Sequence, residues 1–256
     1  MTAPDFELRL AQSDADLIAA QRLRYDVFVR ELGGNGSLVD HERGLERDAF
    51  DPFYDHLILF DNAREGSPAV GVYRLLRGDK LKTPGGPDHF YSEAEYDLSI
   101  LKASGRKLLE LGRSCLHPDY RGGAAMMHLW TGLAAYVEQH KIEILFGVAS
   151  FHGTDVEALK ASLSVLHHRH LAPASIRVRA QPDAFQPMDL LPESQIDRPA
   201  AMRAVPALIK GYLRLGGFVG EGAFVDHAFN TTDICLIIDM AQVNDRARAI
   251  YAGGAA

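Results

Sequence analysis

Residues 110–130 read ELGRSCLHPDYRGGAAMMHLW, and the reading of this stretch decides the fold. Together with the residues just before it, its first part forms an apolar run, KLLELGRSCL, that predicts a strand. HPDYRGG breaks the strand, since proline fixes φ and glycine permits turns closed to other residues. AAMMHLWTGLAAYVEQH follows, with Met126, Leu129, Leu133, Ala134 and Val137 on one side at helical spacing. IEILFGVAS then predicts a buried strand. Strand, helix and strand at this spacing imply a parallel crossover unit.

Upstream, FELRLAQSDADLIAAQRLRYDVFVREL predicts a short strand and then one helix, N-capped by Ser13 and carrying Leu17, Ala20, Leu23 and Val27. GGNGSLVDHERGLERDAFDPFYD is a long, charged, glycine-rich loop, and loops of that length in compact domains are usually functional or mobile. HLILFD and AVGVYRLLR flank the turn NAREGSP and predict an antiparallel hairpin. An amphipathic piece covers Tyr91 to Leu98. Downstream, TDVEALKASLSVLHHRH predicts a helix capped at Thr154 or Asp155. Residues 172–206 hold six prolines and read as an insertion with one strand-like piece, SIRVRA. The stretch ALIKGYLRLGGFVGEGAFVDHAFNTTDICLIID gives a helix, a glycine-rich turn and two strands. The expectation is a single α/β domain over residues 1–256 with a mixed sheet.

At 256 residues and 47% hydrophobic, the chain can bury a substantial core. A net charge of −7 and a pI near 5.9 argue against nonspecific nucleic-acid binding. Cys115 and Cys235 both lie in β-like runs and match no zinc or disulfide spacing, so a reducing cytosol is the expected compartment. No secretory pattern opens the sequence, and no window approaches the length of a membrane span.

Two families share these motifs. RYDVFVREL, ERDAFD, VYRLLR and ELGRSCL, in that order, resemble the N-acyl-homoserine-lactone synthases. The matching positions are Arg24, Phe28, Glu46, Asp48, Asp51, Arg74, Glu110 and Arg113. GRSCLHPDYR, ASFHGTD and the C-terminal stretch are more similar to the bacterial ornithine-lipid synthases, N-acyltransferases of the GNAT superfamily also grouped with hemolysins. That similarity spans nearly the whole chain. It implies a GNAT-like, mainly antiparallel sheet flanked by helices, with a 3-hydroxyacyl chain moved from acyl carrier protein to the α-amine of ornithine. The implied donor group is the 4′-phosphopantetheine of the carrier protein, with no permanently bound cofactor and no metal.

GNAT proteins usually carry Arg/Gln-x-x-Gly-x-Gly/Ala, whereas Arg121 is followed by Gly122, Gly123, Ala124 and Ala125. A carrier-protein thioester brings one phosphodiester where coenzyme A brings several phosphates, so a weaker cradle suffices. Helix-start amides near Gly122 and the Arg121 guanidinium suit that task. The alternative is that the glycines only turn the chain. Glu110 is the expected general base, because an amino acid's α-ammonium must lose a proton before it attacks. Its alternative is an ion pair with Arg113, which requires a bend, since residues three apart on a strand face opposite ways. That bend would also expose strand amides to the thioester carbonyl.

Glu46, Asp48 and Asp51 either grip a cationic acceptor or pair with nearby arginines. Arg24 and Arg74 come from apolar-flanked elements, where lone charges are costly, which favours pairing with one guanidinium left for substrate. Ser150 and His152 form a wall for the pantetheine arm, since SFHGTD lacks the surroundings of a hydrolytic triad. His167 and His170 share a helical face without a second ligand set and read as a solvated helix end. The amphipathic helix at 207–215 predicts core packing, with its cations available to a partner or to a membrane surface. Acylation of glutamine or another amino acid, homoserine-lactone synthesis, and noncatalytic membrane binding of the hemolysin kind are the competing functions.

Overall fold

The computed structural model describes residues 3–81 and 83–243. The strands are β1 (Phe6–Leu10), β2 (Asp55–Asp61), β3 (Ala69–Arg77), β4 (Tyr96–Asp97), β5 (Leu108–Leu116), β6 (Ile144–His152), β7 (Arg179–Ala180), β8 (Phe185–Gln186), β9 (Phe218–Val219), β10 (Ala223–Asp226) and β11 (Thr231–Asp239). The α-helices are α1 (Asp14–Arg24), α2 (Ser99–Ala103), α3 (Ala125–His140), α4 (Val156–His170), α5 (Arg198–Ala204) and α6 (Ala207–Arg214). Where the sequence reads as one domain, these elements gather into two compact units, one of residues up to 88 with 111–141, the other of 89–110 with 142–243. The chain threads both through β5, whose residues 108–110 belong to the second unit and 111–116 to the first.

In the first unit β1, β2 and β3 form an antiparallel meander, with Ile58 opposite Val72 and Leu59 opposite Gly71. The pleat sends alternate residues to opposite faces, so each face collects its own apolar set. Helix α1 covers one: Ala20, Leu23 and Val27 pack with Ile58, Phe60, Val72 and Cys115. Helix α3 covers the other, and glycines set its distance. A Cβ on Gly71 would come within 2.8 Å of Leu116 and 2.9 Å of Leu129, and one on Gly132 would collide with Leu8. Ser13 caps α1 as expected, its hydroxyl accepting from the Asp16 amide at 3.2 Å. The single helix expected through residue 31 is corrected: the α-helix stops at Arg24, and residues Tyr25–Glu31 wind as a π-helix. Its wider turn shows in the Leu32 amide reaching back five residues to the Val27 carbonyl.

In the second unit β5 pairs parallel with β6 over Leu108–Glu110, as a crossover requires. Strand β11 runs antiparallel along the whole of β6, from Thr231 opposite His152 to Asp239 opposite Ile144. β10 and β9 both pair with β11, and β8 pairs with β10. Asp155 caps α4, accepting from the amides of Glu157 and Ala158 at 3.0 and 3.3 Å. The proline-rich insertion contributes β7, β8 and α5. Only Arg179 and Ala180 of SIRVRA are strand, paired with Tyr96–Asp97. Among the described residues no helix is long and apolar enough to cross a membrane.

Candidate active site

The face of the first unit that α1 covers carries charge at one end. Residues 72 and 74 of β3 point the same way, as do 113 and 115 of β5, so Arg74 and Arg113 lie on the face that packs against α1. Arg24, in the last turn of α1, meets them there. The loop before β2 supplies the acids. Arg24 donates to Glu46 Oε2 at 2.5 Å, to the Glu46 carbonyl at 2.8 Å, and to both oxygens of Asp51 at 2.7 and 3.0 Å. Arg74 donates to Asp48 at 2.6 Å and to Asp51 at 2.9 Å. Arg113 donates to Glu46 at 3.1 Å and lies 3.5 Å from Asp48. Gln21 adds a 2.9 Å bond to Asp51.

Three guanidiniums thus meet three carboxylates. The expected grip of Glu46 and Asp51 on a cationic acceptor is corrected, because these oxygens are committed to arginines and the residues are 6% and 3% exposed. Arg24 and Arg74 are wholly buried as well. Burial pushes the Asp51 carboxyl up, but Arg24, Arg74 and Gln21 outweigh it and hold the group well below the usual range. What remains at the water-facing rim is Arg113 and Asp48, whose side chains are 21% and 19% exposed. Phe28, in the π-helical segment, has its ring 5.9 Å from the Arg113 guanidinium.

The bend anticipated near Arg113 is present: its φ of 48° is left-handed, a conformation that few residues with a side chain adopt. The ladder between β5 and β6 ends just before it, at Glu110 opposite Phe146. Glu110 itself is 1% exposed. Its two oxygens accept the amides of Tyr91 and Ser92 at 3.0 and 2.6 Å, which anchors the turn Tyr91–Ala94. Its carboxylate therefore has a structural task.

Glu110, Phe146, Val148, Ser150 and His152 share one face of the second unit with Thr231, Asp233 and Cys235, as the ladder registers dictate. Phe90 packs edge-on against Phe146, with centroids 4.9 Å apart, at the Glu110 end. Toward the other end Ser150 and His152 are exposed. Asp155, placed near them in sequence, is spent on its cap. Burial pushes both thiols up, Cys115 to about 12, so neither is a nucleophile at neutral pH.

In the first unit, Gly122 at φ 76° turns the chain into α3, and Ala124 is the N-cap residue. Residues 121–124 are exposed, and the first turn of α3 holds no acid. Arg121 forks onto Glu31 with two bonds of 2.6 Å, a partner that the sequence reading missed because the two are ninety positions apart. Of the histidines near the end of α4, His168 is the one that reaches a carboxylate, Asp189 at 3.2 Å.

Comparison with known proteins agrees with this architecture. Residues 23–131 match a family described as acetyltransferase (GNAT) domain. An L-ornithine N(alpha)-acyltransferase of Rhodobacter capsulatus is 58% identical over 96% of this chain and 94% of its own length. One of Brucella abortus is 42% identical over 96% of this chain and 88% of its own. Among solved structures, the acyl-homoserine-lactone synthase LasI superposes with a TM-score of 0.51 at 15% identity, covering 98% of this chain and 96% of its own. The acyl-homoserine-lactone synthase MesI gives 0.50 at 16%, covering 98% and 97%. At such identity these two speak for the fold.

Proposed function

The chain belongs to the L-ornithine N(alpha)-acyltransferases, and from that membership we propose that it moves a 3-hydroxyacyl chain from acyl carrier protein to the α-amine of ornithine, forming lyso-ornithine lipid. The observation that carries the reading is identity of 58% over 96% of the chain to a relative bearing that name.

The chemistry is acyl transfer. The α-ammonium loses a proton, the neutral amine attacks the thioester carbonyl, the C–N bond forms and the C–S bond breaks. The second amine proton is released and the thiolate is reprotonated, so the products are an amide, a free thiol and one proton. Glu110 is the proton acceptor in this reading. Each of its oxygens already accepts one amide and retains a second lone pair. Because the group is 1% exposed, the proton reaches it through a relay. Arg113, at the rim of the charge network, is the guanidinium for the ornithine carboxylate.

The donor reading rests on the start of α3. Open space surrounds a Cβ position at Gly122, and a Cβ on Gly123 meets only the Tyr120 carbonyl, at 3.8 Å. Backbone amides there suit one phosphodiester. Arg121 strengthens the cradle once the phosphate competes with Glu31 for its guanidinium.

The test is purified protein incubated with ornithine and either 3-hydroxyacyl carrier protein or the matching coenzyme A thioester, with products weighed by mass spectrometry. Lyso-ornithine lipid from the carrier-protein donor, at far higher kcat/KM than from the coenzyme A ester, is expected. Reversal of that preference overturns the donor assignment, and acylation of ornithine from neither donor overturns the function.

A further inference from the structure

The second unit holds a buried acid that the chemistry above does not use. Asp233 is 4% exposed and is paired across the ladder with Ser150. Its Oδ2 accepts the Thr231 hydroxyl at 3.1 Å, while among the described residues its Oδ1 finds no hydrogen-bond partner. Native structures rarely leave such an atom unsatisfied without a reason, because each one costs free energy. Burial pushes the carboxyl up to about 6, against the opposing effect of the Ser150 and Thr231 hydroxyls, and Asp226 adds like charge. The neighbouring side chains on this face are polar and reach water: Ser150 and His152 are exposed and Thr231 is half-buried. A carboxylate held at a cost at the edge of a polar opening fits a cationic ligand, whose arrival would satisfy the orphan oxygen.

The acceptor assigned above supplies such a cation. Ornithine differs from uncharged amino acids of the same length by its δ-ammonium. Resting on that assignment, we propose that Asp233 receives the side-chain ammonium of the amino-acid acceptor at the open end of this strand face, and so sets the preference for ornithine over amino acids with uncharged side chains. The ammonium donates to Oδ1, and no bond is made or broken in this contact. The place is distinct from Glu110, which lies four ladder positions along β6, about 13 Å away along the strand. That separation assigns recognition of the side chain and handling of the α-amine to different carboxylates.

The experiment compares kcat/KM for ornithine and for norvaline, which has the same chain without the δ-amine, in the wild type and in Asp233→Asn. Loss of a charge-assisted hydrogen bond predicts a fall of roughly tenfold or more in the ornithine-to-norvaline ratio, with norvaline itself little changed. Asparagine removes a buried charge, so the variant is expected to melt no lower than wild type. Should it not fold, Asp233→Ser carries the same expectation. An unchanged ratio, or equal losses on both amino acids, overturns the proposal. So does a wild type that acylates both with equal kcat/KM, whereas a wild type that acylates neither overturns the assignment of function on which it rests.

Discussion

Arg24 and Asp51 face each other as a two-pronged fork, 2.7 Å between Nη1 and Oδ1 and 3.0 Å between Nη2 and Oδ2, with both side chains out of water. Each is buried only because the other is there. Asp51→Asn leaves Arg24 and Arg74 short of a counter-charge, and breaking such a pair costs about 3–5 kcal/mol. The expected outcome is a large drop in denaturant midpoint. Since the Asp51 carboxyl is held below its ordinary value, the wild-type advantage is complete above about pH 4, where the unfolded group is ionised, and declines as pH falls. Unfolding curves of both proteins from pH 7 to pH 2 should therefore converge toward acid.

Glu110→Gln separates structure from catalysis. Glutamine offers one acceptor oxygen where the carboxylate serves two amides, so an NH2 group confronts either Tyr91 or Ser92. The unmet amide costs about 1–3 kcal/mol. Loss of a general base lowers kcat by about 10²–10⁴. A variant that melts early yet keeps near wild-type kcat would assign Glu110 to anchoring the 91–94 turn alone.

Arg121 and Glu31 compete with the donor phosphate for one guanidinium. Arg121→Ala should raise KM for the carrier-protein donor, with ornithine KM unmoved. Glu31→Gln should lower donor KM, by a factor of about two to five, since the half-exposed pair is worth at most about 1 kcal/mol. Donor KM insensitive to both changes would remove Arg121 from the phosphate site.

Asp233 has the opposite pH signature to Asp51. Its folded value of about 6 lies above that of the unfolded chain, so the folded state binds the proton more tightly and the ionised group penalises folding. The penalty is absent below about pH 4 and complete above about pH 6, reaching on the order of 3 kcal/mol. Asp233→Asn should thus be the more stable protein at pH 7.5, with the gain vanishing in acid. Calorimetric melts across that range measure it.

Local signals were legible in the sequence. Ser13 and Asp155 cap the helices assigned to them, because an N-cap needs only a short polar side chain and a few neighbouring amides. The 55–77 hairpin and the crossover from β5 through α3 to β6 followed from periodicity. Pairing of Arg24 and Arg74 with the loop acids followed from the cost of burying lone charge. Nonlocal facts were not legible. The Arg121–Glu31 fork joins residues far apart in sequence, and the orphan oxygen of Asp233 depends on what β6 places opposite it. SIRVRA alternates as a strand does, yet only two of its residues find a partner strand.

The π-helical turn at Tyr25–Glu31 also has a consequence for sequence length. Such a segment accommodates one residue more than an α-helix of equal rise. Deleting a single residue there would let ordinary winding resume and swing everything beyond it by about 100° around the axis. Phe28 and Glu31 would then lose their bearings relative to Arg24, with no change in composition on that side of the chain. Substitutions should be tolerated in this segment far better than frame-preserving deletions, and a deletion scan would show an abrupt boundary at Arg24.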